Sequence, residues 1–156
     1  MLKHSGESPV MKTSVITSLL GYRLAQASIP AFSVFDDAVG TPFSLRRVDF
    51  AILALLSSNA HVTLTNLCRE LRSSTPRLSL VVDRLVKRGL VQRIPNDQDR
   101  RVQFLVLTAE GVAITEKALA AASKMEAELM GRLSPAERAT LFRLLTRLSE
   151  FPKQPS

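Results

Sequence analysis

The stretch from Ser74 to Leu107 constrains this chain more than any other, because its apolar period changes partway along. Leu78, Val81, Val82 and Leu85 stand at i, i+3, i+4 and i+7, the spacing of one buried helix face. Ser74 or Thr75 caps that helix, Pro76 suits its first turn and Gly89 ends it. Two short β-rich runs follow, at 91–94 and 102–107. They are joined by Pro95-Asn96-Asp97-Gln98-Asp99-Arg100, which predicts a hairpin with a polar, charged tip. The pattern predicts a helix over 74–88 feeding a two-stranded wing over 91–107.

A short helix capped by Thr63, with Leu64, Leu67 and Leu71 on one face, comes just before. Short helix, tight turn, second helix, hairpin is the order of a winged helix-turn-helix. Ser44 is expected to cap a further helix running to about Leu56. Its apolar residues Phe50, Ile52, Leu53, Leu55 and Leu56 lie nearly all round, so it should be buried on most sides. Residues 44–107 thus form one predicted unit.

Helical patterns flank it on both sides. Val15, Leu19, Leu20, Leu24, Phe32, Phe35 and Val39 recur at helical spacing over 14–39. Pro30 should kink or split that run near 26–30, and Gly40-Thr41-Pro42 should end it. Thr108 caps a long helix to about Met130. Ser134-Pro135-Ala136-Glu137 is a capping box that opens the last helix, which Pro152 stops. That last helix carries Leu141, Leu144, Leu145, Leu148 and Phe151, more apolar surface than one small winged-helix core buries, so it calls for a second copy. The predicted class is mainly α with a small β-hairpin wing: dimerisation helices at 14–43 and 108–151, and tails at 1–13 (disordered, with Met11 an alternative start) and 152–156.

Composition removes whole classes of function. One cysteine, Cys68, cannot form an internal disulfide, and with only two histidines a His/Cys zinc site is close to excluded, so no metal is expected. The longest uncharged run, 50–68, holds Ser57, Ser58, Asn59, Thr63, Thr65 and Asn66 and cannot span a membrane. Ala25-Gln26-Ala27 imitates a signal cleavage site, but Arg23 and the hydroxyls of Ser14, Thr17 and Ser18 spoil the apolar stretch before it. A cytoplasmic location is expected. No Gly-rich phosphate loop, nucleophile elbow or His-based triad appears, so neither catalysis nor a cofactor is expected.

The charge points to a polyanion. Lys and Arg number 21 against 14 Asp and Glu, and residues 61–107 alone carry nine against four. Arginine dominates that cluster, and its guanidinium fork suits phosphates and base edges. On the helix over 74–88, Arg77, Leu80, Arg84 and Lys87 share the face opposite the apolar stripe. Ser73, Ser74 and Thr75 add hydroxyls at an N-terminus that favours phosphate. Such a helix enters the major groove of double-stranded DNA with its first turns at the base edges. A dimer of such units implies a near-palindromic operator.

Three blocks carry a family resemblance: Val82-Asp83-Arg84-Leu85-Val86-Lys87-Arg88-Gly89-Leu90-Val91-Gln92-Arg93, then Asp99-Arg100-Arg101, then Leu107-Thr108-Ala109-Glu110-Gly111. Over about residues 14–150 the chain resembles the MarR-type (multiple antibiotic resistance regulator) transcription factors. The resemblance implies a homodimeric DNA-binding regulator paired through its first and last two helices. It further implies a repressor released by a small phenolic or aromatic-acid effector or by cysteine oxidation. It places Arg101 in the minor groove with Asp99 orienting it. With the helix-face and charge pattern, the expected DNA-contacting residues are then Ser73, Ser74, Thr75, Arg77, Ser79, Leu80, Arg84, Arg93, Asp99, Arg100 and Arg101. Two departures stand out: Leu80 replaces a residue that is commonly polar or arginine, and Pro30 falls in a helix that is usually continuous.

Several residues keep two readings. Arg84 either contacts DNA or braces the wing through acidic neighbours. Arg101 reads the minor groove or makes a surface ion pair, and Leu80 meets a thymine methyl or packs against the helix before it. Asp83 and Lys87 read as a helix-surface pair, and Cys68 as a small buried hydrophobe. Tyr22, Arg23, Phe32, Phe35 and Phe50 either line an effector pocket or serve core and dimer packing. The alternative function is a winged-helix module that binds a protein partner.

Overall fold

The computed structural model describes residues 15–96, 99 and 101–150. The chain divides into two compact units, residues 1–33 and 34–156.

The first unit contains a 3-10 turn, Ile16–Ser18, and most of helix α1, Leu20–Phe35. Pro30 lies inside α1 and does not split it, so of the expected kink or split the split is absent. Proline removes one backbone donor. Here Pro30 and Gln26, whose carbonyl loses that donor, are both exposed, so the loss falls on the solvent side of the helix. Ala25, Ala27 and Ala31 around them are the strongest helix formers.

In the second unit a π-helical turn, Asp36–Gly40, leads into a single turn α2, Thr41–Phe43. The helical run therefore continues past Gly40-Thr41-Pro42, because Pro42 occupies the first turn of α2, where its missing N–H costs nothing. Ser44 is not the cap of the next helix. It ends α2 in the left-handed conformation, at φ 51°. Helix α3, Arg47–Ser58, begins at Arg46, whose amide donates to the Asp49 carboxylate at 3.0 Å. An acid three residues into the helix does what Ser44 was expected to do.

The remaining helices start at their expected caps. Thr63 opens α4, Leu64–Glu70, and Ser74 opens α5, Thr75–Lys87. Thr108 opens α6, Ala109–Leu129, and Ser134 opens α7, Pro135–Ser149. Strands β1, Val91–Pro95, and β2, Gln103–Leu107, pair antiparallel with Val91 opposite Leu107 and Pro95 opposite Gln103. The core joins Ile52 and Leu53 of α3, Leu67 of α4, Leu78, Val82 and Leu85 of α5, and Leu90 and Val91.

Gly89-Leu90 and the start of α6 interlock closely. Thr108 Oγ1 donates to the Gly89 carbonyl at 2.6 Å and accepts from the Gly111 amide at 3.0 Å. A β-carbon on Gly111 would lie 1.9 Å from the Leu90 carbonyl oxygen, so only glycine fits there. Gly89 has φ +71°, which also favours glycine. The wing is thereby fixed at both ends, to α5 and to α6.

Candidate nucleic-acid interface

The turn between α4 and α5 is tight. Arg72 adopts φ 47°, and the Ser73 amide donates to the Cys68 carbonyl at 3.0 Å. Cys68 is half-buried against the core, and its thiol donates to Thr75 Oγ1 at 3.7 Å. These contacts fix the angle at which α5 leaves α4. The α5 N-terminus then presents Ser74, Thr75, Pro76 and Arg77, all exposed, with Ser73 half-buried beside them.

The two faces of α5 differ sharply. Leu78, Val81, Val82 and Leu85 are at most 8% exposed, whereas Leu80 is 71% exposed. Leu80 therefore packs into neither the core nor α4. Arg77 and Lys87 are exposed on the outward side.

Arg84 turns away from that surface. Its guanidinium donates to the carboxylate of Asp49, which is buried in α3. The second carboxylate oxygen of Asp49 takes the Arg46 amide. One buried acid thus starts α3 and ties α3 to α5. Arg93 on β1 donates to Asp83 of α5 at 2.6 Å, which binds the wing to the outer side of α5. Asp83 pairs across to the wing rather than along the helix with Lys87. Arg88, a further bracing residue, donates to the carbonyls of Ser44 at 2.7 Å and Phe43 at 3.3 Å.

At the wing tip the Asp99 carboxylate accepts the Arg101 backbone amide at 3.0 Å. The Arg101 side chain is exposed and has no ion-pair partner among the described residues. Arg100 lies outside the described residues. Between the start of α4, α5 and the wing lies a cleft of about 420 Å³, lined in part by Thr65, Ser79, Arg93 and Arg101.

Sequence reasoning missed Asp49 and Arg88. Asp49 had a visible signal, the one acid in a mostly apolar helix; its partner is 35 residues away. Arg88 had none, because its acceptors are backbone carbonyls 44 and 45 residues back.

The other expected residues lie elsewhere. Tyr22, Arg23 and Phe32 belong to the first unit; Arg23 Nε donates to the Thr17 carbonyl at 2.6 Å, and Phe32 is exposed. In the second unit Phe35 and Phe50 meet edge to face, centroids 5.5 Å apart, within the core. On α7, Leu141, Leu144, Leu145 and Leu148 are 37–48% exposed, and Phe151 lies outside the described residues.

A helix-turn-helix with a two-stranded wing and a basic outward face defines a winged-helix nucleic-acid-binding protein. Comparison with known proteins narrows the class. The model of the MarR family matches residues 43–102, from the end of α2 to the edge of β2. The multiple antibiotic resistance protein MarR of Escherichia coli is 31% identical over 109 residues, covering 69% of this chain and 76% of that protein. The structure superposes on the transcriptional repressor CouR bound to a 23-mer DNA duplex with a TM-score of 0.84 at 29% identity, covering 91% of this chain and 100% of that one. It also superposes on a cysteine-to-serine mutant of Escherichia coli MarR complexed with operator DNA, with a TM-score of 0.78 at 27% identity, covering 90% and 97%. The chain belongs to the MarR family and is a winged-helix transcriptional regulator.

Proposed function

We propose that this chain is a homodimeric repressor that binds a near-palindromic operator with α5 in the major groove and the wing in the minor groove. The observation that carries the reading is the division of α5: its apolar stripe is buried, and Arg77 and Leu80 stand free on the other side. In this reading Arg77 contacts base edges. Ser73, Ser74 and Thr75 meet a phosphate at the helix N-terminus. Asp99 shapes the tip that points Arg101 into a narrow groove, where negative potential is concentrated. Arg84 and Arg93 act as positioning residues through Asp49 and Asp83. The exposed leucines of α7 supply the dimer contact, and two-fold pairing sets two half-sites about one helical turn apart or a multiple of it. The two similar structures solved with DNA support this use of the fold.

The regulator works in the cytoplasm, without a catalytic step. A small aromatic or phenolic effector acts on it, with family membership as the support. Such an effector must bind the DNA complex more weakly by the factor by which it weakens DNA binding. Titration of candidate aromatic acids with and without DNA tests this, and equal affinity in both rules a compound out.

The founding experiment is a gel shift of the full-length protein on DNA flanking its own gene, with scrambled competitor. The expected result is a complex that resists the competitor. Equal binding to scrambled DNA would overturn the reading and favour the protein-partner alternative, for which the exposed Leu80 is the supporting feature.

A further inference from the structure

The outward side of α5 has few groups able to hydrogen-bond a base. Arg84 is committed to Asp49, and Arg93 is held by Asp83. Ser79 is half-buried at the cleft beside the wing. Lys87 sits in the last turn, away from the end of the helix that enters the groove. With the hydroxyls of Ser74 and Thr75 taken by a phosphate in the reading above, the groove-facing surface reduces to Arg77 and an apolar patch made by Leu80 with exposed Pro76 four residues before it.

Leaving a leucine 71% exposed beside polar neighbours gains nothing in the folded chain. In a major groove it meets the one apolar feature of the base code, the 5-methyl group of thymine. Arg77 presents two parallel donors, which match the O6 and N7 acceptors of guanine. Three residues along a helix span about 4.5 Å, close to one or two base-pair steps of about 3.4 Å. The two side chains thus fall on neighbouring base pairs.

We propose that Leu80 selects a thymine in each operator half-site by packing on its 5-methyl group, next to a guanine bound by Arg77. The inference rests on the operator-binding reading above and adds its base specificity.

The test uses duplexes selected by the full-length protein from a randomised pool. Each thymine in the selected half-sites is replaced in turn by deoxyuridine, which removes only the methyl group. Wild type is expected to lose affinity about three- to fourfold at one thymine per half-site, the burial of one methyl group. That thymine should lie within two base pairs of a guanine whose replacement is felt by wild type and not by Arg77→Ala. Leu80→Ala should bind thymine and uracil duplexes alike with unchanged thermal stability, since the side chain supports no core contact. Leu80→Met, similar in volume, should keep the discrimination, and Leu80→Gln should shift the preference from thymine toward adenine.

Wild-type affinity unchanged by every uracil, while the pool still yields a defined sequence, overturns the inference and leaves operator binding standing. Full discrimination retained by Leu80→Ala overturns it as well. A pool that yields no sequence overturns the operator reading and this inference with it.

Discussion

Helices α5 and α7 carry the same kind of apolar pattern and put it to opposite uses. In α5, Leu78, Val81, Val82 and Leu85 recur at three- and four-residue spacing and are buried within the chain. In α7, Leu141, Leu144, Leu145 and Leu148 recur at the same spacing, and no residue of the helix is buried. A helical period says that one face wants to leave water; it does not say whether the surface that covers it belongs to the same chain. The winged lobe is complete in one copy and leaves Arg77 and Arg101 exposed on its outer surface. The apolar face of α7 is still uncovered, which is why we assign it to a second copy.

The largest expected effect tests the self-sufficiency of the winged lobe. Leu85 is fully buried, so Leu85→Ala should destabilise the fold by about 2–5 kcal/mol. Urea unfolding checks this, and the loss should not depend on protein concentration.

Asp49→Ala comes next. It leaves Arg84 without its partner and α3 without the carboxylate that receives the Arg46 amide. Arg84 keeps about a third of its side chain in water, so a cost of about 3 kcal/mol is expected, the low end for breaking a buried pair. Combining it with Arg84→Met should recover part of that loss in the same measurement.

In α7 the effect should appear in association rather than in folding. Leu144→Glu with Leu148→Glu should yield monomers by sedimentation at micromolar concentration. A wild-type monomer under those conditions would break the comparison at its root.

The smallest effect belongs to the cap of α7. The Ser134 hydroxyl and then its backbone amide donate to the Glu137 carboxylate and hold its pKa below the ordinary glutamate range. A carboxylate depressed on folding adds stability above its unfolded pKa and loses it as the pH falls through the folded one. Melting of wild type and Glu137→Gln should therefore differ slightly at neutral pH and converge in acid.

What the sequence made legible follows the range of the interactions. The caps Thr63, Thr108 and Ser134 and the stop at Gly89 act over one helical turn, and each falls where local chemistry puts it; Ser74 stands at the expected start of α5 without a side-chain capping bond. Ser44 was misjudged because a nearby acid, Asp49, competes better for the start of α3. Pro30 does not split α1, because the donor it removes belongs to an exposed stretch of the helix. Arg84 stayed open between two roles because its partner lies on another helix. Asp83 was paired with its helical neighbour, although Arg93 reaches it only once the wing has folded back.

The measurement that bears most directly on the account is the affinity of full-length wild type, Arg77→Ala and Arg101→Ala across a base-substituted series of the selected duplex, at fixed salt. Arg101→Ala should weaken binding by about 1–3 kcal/mol and flatten the preference for A·T pairs under the wing. Arg77→Ala should lose discrimination at one major-groove position and keep it under the wing. Folded variants that bind every duplex as wild type does would contradict the assignment of α5 and the wing as the DNA-reading surface.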